Sequence, residues 1–189
     1  MFLAAGSTAL GFCAAAGRIG QPAAELGDAV PPGLQLLHLE ARALLATDRS
    51  AFFREAVEGA RREGALISID LGLEPRTEGW IRAHGSPRTA YQLATIQPDI
   101  LFASEAAAAD LGAPLEGIAA VPVVVLAEDA GGCSVYGRRL AAPATGELDP
   151  DLFMAAFCIA FVDGEGPIEA AGRAVLATRG SLVAEGPAR

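Results

Sequence analysis

Short apolar runs alternate with segments of helical character along this chain, and this alternation restricts most strongly the folds that are open to it. Four of the runs are predicted to be strands: Leu34–Leu39, Ala65–Asp70, Asp99–Phe102 and Val121–Leu126. The last run is nearly all β-branched, which is typical of a strand covered on both faces. Short connections between strands and helices favour a mostly parallel sheet flanked by helices. We therefore predict a single α/β domain over residues 1–189.

The clearest helical pattern lies between the first two of these strands. It starts at the capping sequence Thr47–Ser50, carries one apolar stripe at helical spacing, and stops at Gly64. Further helices are predicted over residues of about 87–96, 104–111, 151–161 and 167–177. These helices would form the two outer layers of a three-layer domain.

The opening segment, residues 1–16, is apolar and resembles a secretory signal only superficially. No basic residue precedes Arg18, so the charged region that such signals carry is missing. No apolar run approaches the length that is needed to cross a bilayer. Within this segment we expect an opening strand over Ala9–Cys13 that turns at Gly17. The prediction is a cytoplasmic protein without a membrane segment.

Cysteine and histidine residues give no indication of a metal site. Cys13, Cys133 and Cys158 are widely spaced and odd in number, so neither a disulfide framework nor a zinc site is expected. Buried thiols in a reducing compartment are the simpler interpretation. His38 lies inside an apolar strand and is expected to be a core histidine rather than a base, whereas His84 is expected in a solvated loop.

The charged residues exclude several functions. A net charge of −9 argues against nucleic-acid binding, which needs clustered cations to neutralise phosphates. All 14 basic residues are arginine. The absence of lysine excludes Schiff-base chemistry, a Walker-type phosphate-binding lysine and a lysine general base.

Four segments, taken in order, resemble the ribokinase-like (PfkB) carbohydrate kinases. Residues 58–70 resemble a helix that leads into a strand ending in Asp, and residues 97–105 resemble the strand that enters the family's Asn-x-x-Glu motif. Residues 123–136 resemble the family's nucleotide strand and hairpin, and residues 164–180 resemble its closing helix. The resemblance covers the C-terminal two-thirds of that family. It implies a three-layer ribokinase-like (Rossmann-like) fold in which the N-terminal part and most of the lid are missing.

The resemblance also implies a set of site residues. Asp151 would be the catalytic base. Asp70 is the candidate substrate-binding residue because it ends a predicted strand, where open α/β sheets bind ligands. The nucleotide positions would be Ser104, Glu105, Val125, Ala127, Gly131 and Gly132. ATP and magnesium would be the cofactors if the chain is a kinase.

These positions depart from the family pattern in ways that bear on catalysis. The family's Gly-Ala-Gly-Asp loop reads Leu148-Asp149-Pro150-Asp151 here. Its Asn-x-x-Glu motif becomes Ser104 followed by Ala107, with Glu105 only a neighbour of the motif position. Pro150 has no N–H group to offer a phosphoryl group.

Apolar Val125 and Ala127 stand where the family has Thr and Gly. Two interpretations therefore stay open: a binding or assembly module with impaired or absent phosphotransfer, and a divergent ATP-dependent carbohydrate or small-molecule kinase using Asp151. For Asp151 and Glu105 a structural role in the first turn of a helix is an alternative to both.

A partner is expected in either case. A sheet of this family without its N-terminal strands would expose a strand edge or an apolar helix face, and such edges are normally covered. The opening segment Phe2–Ala16 carries no charge that would protect it. We expect a homo-oligomer, of which a twofold dimer is the commonest form, or else a partner chain that covers the missing part.

Overall fold

The computed structural model describes residues 1–6, 9–41, 50–72, 91, 93–111, 123–127, 132–135, 138–140 and 149–184. Its strands are β1 (Phe2–Ala5), β2 (Ala23–Glu25), β3 (Leu36–Glu40), β4 (Leu66–Asp70), β5 (Ile100–Ser104), β6 (Val123–Ala127), β7 (Gly132–Val135) and β8 (Arg138–Leu140). Its helices are α1 (Ala9–Arg18), α2 (Ser50–Arg62), α3 (Glu105–Leu111), α4 (Pro150–Val162) and α5 (Pro167–Ala184). Residues 93–96 are also helical.

The described strands form one sheet in the order β2-β1-β3-β4-β5-β6-β7-β8. The pairings from β2 across to β6 are parallel, and β7 and β8 add an antiparallel hairpin at the far edge. The four predicted strands are confirmed as β3, β4, β5 and β6. The prediction of a mostly parallel α/β sheet is therefore correct.

Helices cover both faces of the sheet and give three layers. On one face α1, α4 and α5 pack over a core that includes Phe2, Phe12, Phe102, Phe153 and Phe157. On the other face α2, α3 and residues 93–96 cover a second core that includes Leu37, Leu39, Ile67, Ile69 and Leu101. Successive residues of a strand point to opposite faces, so each central strand supplies both cores.

Helix α4 is apolar all round because it is enclosed on all sides. It lies between α1 and α5 and packs on the sheet, and eight of its residues are buried. Phe153, Phe157 and Phe161 stack along it with ring centroids 5.9–6.4 Å apart. A helix in such a position needs no polar stripe.

Within the described residues, no helix is long and apolar enough to cross a membrane.

The predicted opening strand at Ala9–Cys13 is wrong, because these residues begin helix α1. The strand lies earlier, at Phe2–Ala5, and runs between β2 and β3 in the sheet. Ala9, Phe12, Ala15 and Ala16 are the buried residues of α1, at helical spacing. A run of five apolar residues does not distinguish a strand from a buried helix segment, and the Ala-rich continuation decides for a helix.

Candidate functional site

Buried polar residues end three neighbouring strands of the parallel sheet. Strand β3 ends at Glu40, β4 at Asp70 and β5 at Ser104, with exposed fractions of only 1%, 2% and 6%. Glu40 lies directly beside Asp70 in the strand register. Because parallel strands have their carboxyl ends at one edge, these side chains form a polar group where open α/β sheets bind ligands.

The structure confirms that Asp70 lies at a strand end, and it adds Glu40, which the sequence analysis missed. The Asp70 carboxylate accepts a hydrogen bond from the Gly72 N–H at 2.8 Å. Glu40 follows Leu39 at the end of an apolar run just as Asp70 follows Ile69. The same strand-end acid signal could therefore have identified Glu40.

Gly6 makes room for Glu40 at the end of β1. Its φ angle is 128°, in the region that favours glycine. A Cβ placed on Gly6 would lie only 2.4 Å from the Glu40 Cβ and 2.6 Å from its Oε2. The close approach of the β1 backbone to Glu40 therefore requires a glycine here.

The start of α4 carries its own capping group. Asp149 is the N-cap residue, and its Oδ1 accepts a hydrogen bond from the Leu152 N–H at 3.0 Å. Its Oδ2 accepts a second bond from Arg18 Nη2 at 2.9 Å. Pro150 is the first helical residue and has no N–H. The N-terminal amides that would cradle an anion are thus partly absent and partly occupied by a carboxylate.

Asp151, the candidate base, lies in the first turn of α4 at the contact with α1. A Cβ placed on Gly11 of α1 would lie 1.9 Å from the Asp151 Oδ2, so this carboxylate rests against the α1 backbone. Asp151 is partly buried. Its negative charge also suits the positive end of the helix dipole, so its position agrees with a structural role as well as with a catalytic one.

The nucleotide candidates that the structure describes lie on β5, α3, β6 and β7. Ser104 caps α3, because its Oγ accepts a hydrogen bond from the Ala107 N–H at 3.0 Å. Glu105 is the first residue of α3, Val125 and Ala127 lie in β6, and the side chains of these three residues are not among those described. Gly132 is the first residue of β7. Gly131 lies outside the described residues, as does His84, for which a solvated loop was expected.

His38 lies in the core, as predicted, and makes one hydrogen bond. Its Nδ1 is 2.8 Å from the Ser68 Oγ, and its ring stacks on Phe12 with centroids 4.2 Å apart. Its Nε2 is buried without a hydrogen-bond partner. Burial lowers the pKa of His38 to about 3. The imidazole is therefore a neutral core group under α1 and not an accessible base.

The described start of α4 offers few free donors to the phosphates of a magnesium–nucleotide complex. Nowhere in the described ranges do three or more His, Cys, Asp or Glu side chains group so as to hold a metal ion. Phosphate groups need free N–H donors at a helix start, and α4 offers Pro150 and a capping carboxylate instead. We therefore assign no catalytic step to ATP or magnesium here.

Comparison with solved structures identifies the fold. Adenosine kinase from Sinorhizobium meliloti matches with a TM-score of 0.61 at 16% identity, over 77% of this chain and 48% of that one. The chain has the ribokinase-like fold. The ADP complex of Bacillus subtilis pyridoxal kinase matches this ribokinase-like chain with a TM-score of 0.63 at 14% identity, over 92% of this chain and 87% of the other.

A third match is a putative ribokinase II from E. coli in complex with ATP and Mg²⁺, with a TM-score of 0.57 at 18% identity, over 77% of this chain and 51% of that one. The ribokinase-like chain thus spans about half the length of most of these proteins. The fold predicted from the resemblance is confirmed. No protein-family profile and no curated protein matches the sequence.

Proposed function

We propose that this chain is a ribokinase-like protein in which phosphotransfer is impaired or absent, and that it acts as a binding or assembly module. The observation that carries the proposal is the capped start of α4, where Asp149 accepts the Leu152 N–H and Pro150 provides none. At identities of 14–18% the kinase neighbours support the fold and leave the activity to be tested on this chain.

The energetic argument concerns a phosphoryl group in transfer. Such a group is stabilised by backbone N–H donors at a helix start and by the positive end of the helix dipole. Here Asp149 and Asp151 place two carboxylates in or beside the first turn of α4. Losing one oriented donor typically costs about 3 kcal/mol of transition-state stabilisation, and the nearby negative charges would add repulsion. Efficient phosphotransfer is not expected under these conditions.

The second candidate is a divergent ATP-dependent kinase that uses Asp151 as its general base. Its support is the position of Asp151 in the first turn of α4, together with a neighbour crystallised with ATP and Mg²⁺ and another that is an adenosine kinase. The apolar residues Val125 and Ala127 at the nucleotide strand count against it. In this alternative a small alcohol would be the phosphate acceptor.

An ADP-release assay separates the two candidates. The protein is incubated with ATP, magnesium and adenosine, ribose or pyridoxal in turn, and we expect no ADP above the protein-free rate. Asp151→Asn should give the same result as the wild type. Glu169→Gln, an acid-to-amide change in the first turn of α5, is the matched control. Turnover that Asp151→Asn abolishes and Glu169→Gln leaves intact would establish the kinase instead.

The assembly part of the proposal is a homodimer formed through the α1–α5 layer. The opening segment does not provide the exposed surface that was expected, because Phe2, Leu3 and Ala4 are buried in the sheet. Support comes instead from Leu10 on α1 and Leu176 on α5, which are 70% and 62% exposed. In the proposed dimer both side chains would be covered at the twofold contact.

Light scattering tests this assembly. We expect a mass of about 38 kDa, twice the 19.2 kDa of the chain, and a shift towards 19.2 kDa in the double variant Leu10→Ser/Leu176→Ser. Tyr91→Ser is the matched control, since Tyr91 is also 70% exposed but belongs to the opposite layer. A wild-type mass of 19.2 kDa at micromolar concentration would contradict the dimer.

A reducing, cytoplasmic setting is part of the same proposal. Cys13, Cys133 and Cys158 are all free thiols. Burial raises the pKa of Cys133 to about 11 and that of Cys158 to about 12, so both thiols stay protonated and unreactive. Such cysteines are typical of proteins that are kept reduced.

A further inference from the structure

A cleft lies on the face of the sheet opposite to the α4 start. It is bounded by α2 and the loop of residues 26–30, and its volume is about 250 Å³. The loop belongs to the connection from β2 to β3, residues 26–35, which passes β1 without forming a helix. Parallel strands are usually joined through a helix. Because this connection contains none, the layer of helices on this face of the sheet is thin beside α2. The cleft occupies that thin part of the layer.

Gly59 of α2 allows the loop of residues 26–30 to pack closely against the helix, and this contact fixes the shape of the cleft. A Cβ placed on Gly59 would lie 2.9 Å from the Val30 Cγ2. Glycine in a helix interior costs roughly 1 kcal/mol relative to alanine, and the close contact with Val30 gives a reason for it here. The Gly33 N–H also donates to the Glu63 Oε2 at 2.9 Å, which ties the next part of the connection to the end of α2. The cleft is therefore preformed.

The floor of the cleft is apolar. It is lined by Leu26, Val30, Phe52 and Ala56, all of which pack against the second core. Ala56 is buried, while the other three are only partly buried. Partly buried apolar surface in a concave site favours a ligand with an apolar body.

The rim of the cleft is acidic. Asp28, Glu55 and Glu63 line it together with a single cation, Arg62. Among the described residues, no ion pair involves Asp28 or Glu55. Three carboxylates against one guanidinium give the rim an excess of negative charge, so a cationic group is favoured over an anionic one.

We propose that this cleft binds a small organic amine whose body is a flat apolar ring. The ring would lie on the floor formed by Leu26, Val30 and Phe52, and the ammonium group would reach Asp28 and Glu55 at the rim. An aromatic side chain such as Phe52 also attracts a nearby cation. The volume of about 250 Å³ lies just below the usual range of roughly 300–1,000 Å³ for small-molecule sites, which restricts the ligand to a small one. The inference goes beyond the proposed function and does not depend on it.

Titration with tryptamine, followed by amide NMR shifts, tests this inference, and indole-3-propionate serves as the anionic probe with the same ring. We expect tryptamine to shift residues 26–30 and 52–63 and to bind about tenfold more tightly than the anion, a preference that weakens with added salt. The double variant Asp28→Asn/Glu55→Gln should weaken tryptamine binding about fivefold. Glu169→Gln, on the opposite layer, should leave tryptamine binding unchanged.

A second variant addresses the shape of the site. Ala29→Trp places a bulky side chain at an exposed position on the cleft wall and should abolish binding without disturbing the core. Equal affinity for the two probes, no effect of the double variant, or no binding of tryptamine would overturn the proposal. Binding of a lysine-containing peptide in place of tryptamine would also overturn it. ADP release in the kinase assay would change none of these readings, so the two proposals fail separately.

Discussion

Replacing Gly6 by alanine is expected to destabilise the protein much more than replacing Gly33 by alanine. Both glycines have a positive φ, 128° and 71°. An alanine at Gly33, near the left-handed helical region, costs roughly 1–2 kcal/mol, and an alanine at Gly6, outside that region, costs at least as much. Only at Gly6 does the new Cβ meet another group, the Glu40 Cβ at 2.4 Å, whereas nothing lies within 4 Å at Gly33. We expect a total loss of about 3 kcal/mol or more for Gly6→Ala, a large part of a typical stability of 5–15 kcal/mol.

Urea unfolding of the two variants beside the wild type measures this difference. The Gly33→Ala loss serves as the control for backbone strain alone. The additional loss of unfolding free energy in Gly6→Ala would then report the steric contact with Glu40 together with the greater backbone strain at φ 128°. Equal losses of unfolding free energy in the two variants would show that Gly6 does not lie in close contact with Glu40.

The second large effect is a loss of stability in acid that depends on His38. The pKa of this imidazole is about 3 in the folded protein and 6.5 without burial. Between these values the unfolded chain binds a proton that the folded protein does not, so stability falls as the pH drops below 6.5 and levels off near pH 3. At pH 4.5 the contribution is on the order of 2–3 kcal/mol.

Two asparagine variants isolate this effect from the titration of the carboxylates. Unfolding free energies are measured at pH 7.5 and pH 4.5 for His38→Asn and for His84→Asn, the latter replacing the one other histidine of the chain. The difference between the two pH values should shrink in His38→Asn by about 2 kcal/mol and stay unchanged in His84→Asn. The same acid sensitivity in both variants would show that His38 is not held neutral in the core.

The sequence predicted the centre of the sheet well because its strands carry a strong signal. The runs at Leu34–Leu39 and Val121–Leu126 are short and mostly apolar, as strands covered on both faces are. The observed strands Leu36–Glu40 and Val123–Ala127 differ from them by one or two residues at each end. Helix α4 was also predicted closely, since an Asp-Pro-Asp start is a strong cap signal.

The first 25 residues could not be predicted in the same way. Ala9–Cys13 is apolar at every position except Gly11, so its period does not separate helix from strand. Strand β2, Ala23–Glu25, has only three residues and no β-branched side chain. The position of β1 between β2 and β3 is a long-range pairing that no local pattern encodes.

The candidate site was predicted residue by residue but not as an arrangement. Asp70 was identified from its strand end, and Asp151 from the resemblance to the family's catalytic loop. The contact of Asp151 with Gly11 depends on how α1 crosses α4. The contact of Glu40 with Gly6 depends on the register of β1 with β3. Such tertiary relations are beyond the reach of spacing along the chain.

Isothermal titration with ATP and magnesium tests the central claim most directly. The claim is that the α4 start, closed by Asp149 and Pro150, does not hold a nucleotide phosphate. We predict no saturable heat of binding up to millimolar ATP, with buffer and protein-free titrations as the blanks. A micromolar dissociation constant for ATP–magnesium would contradict the account.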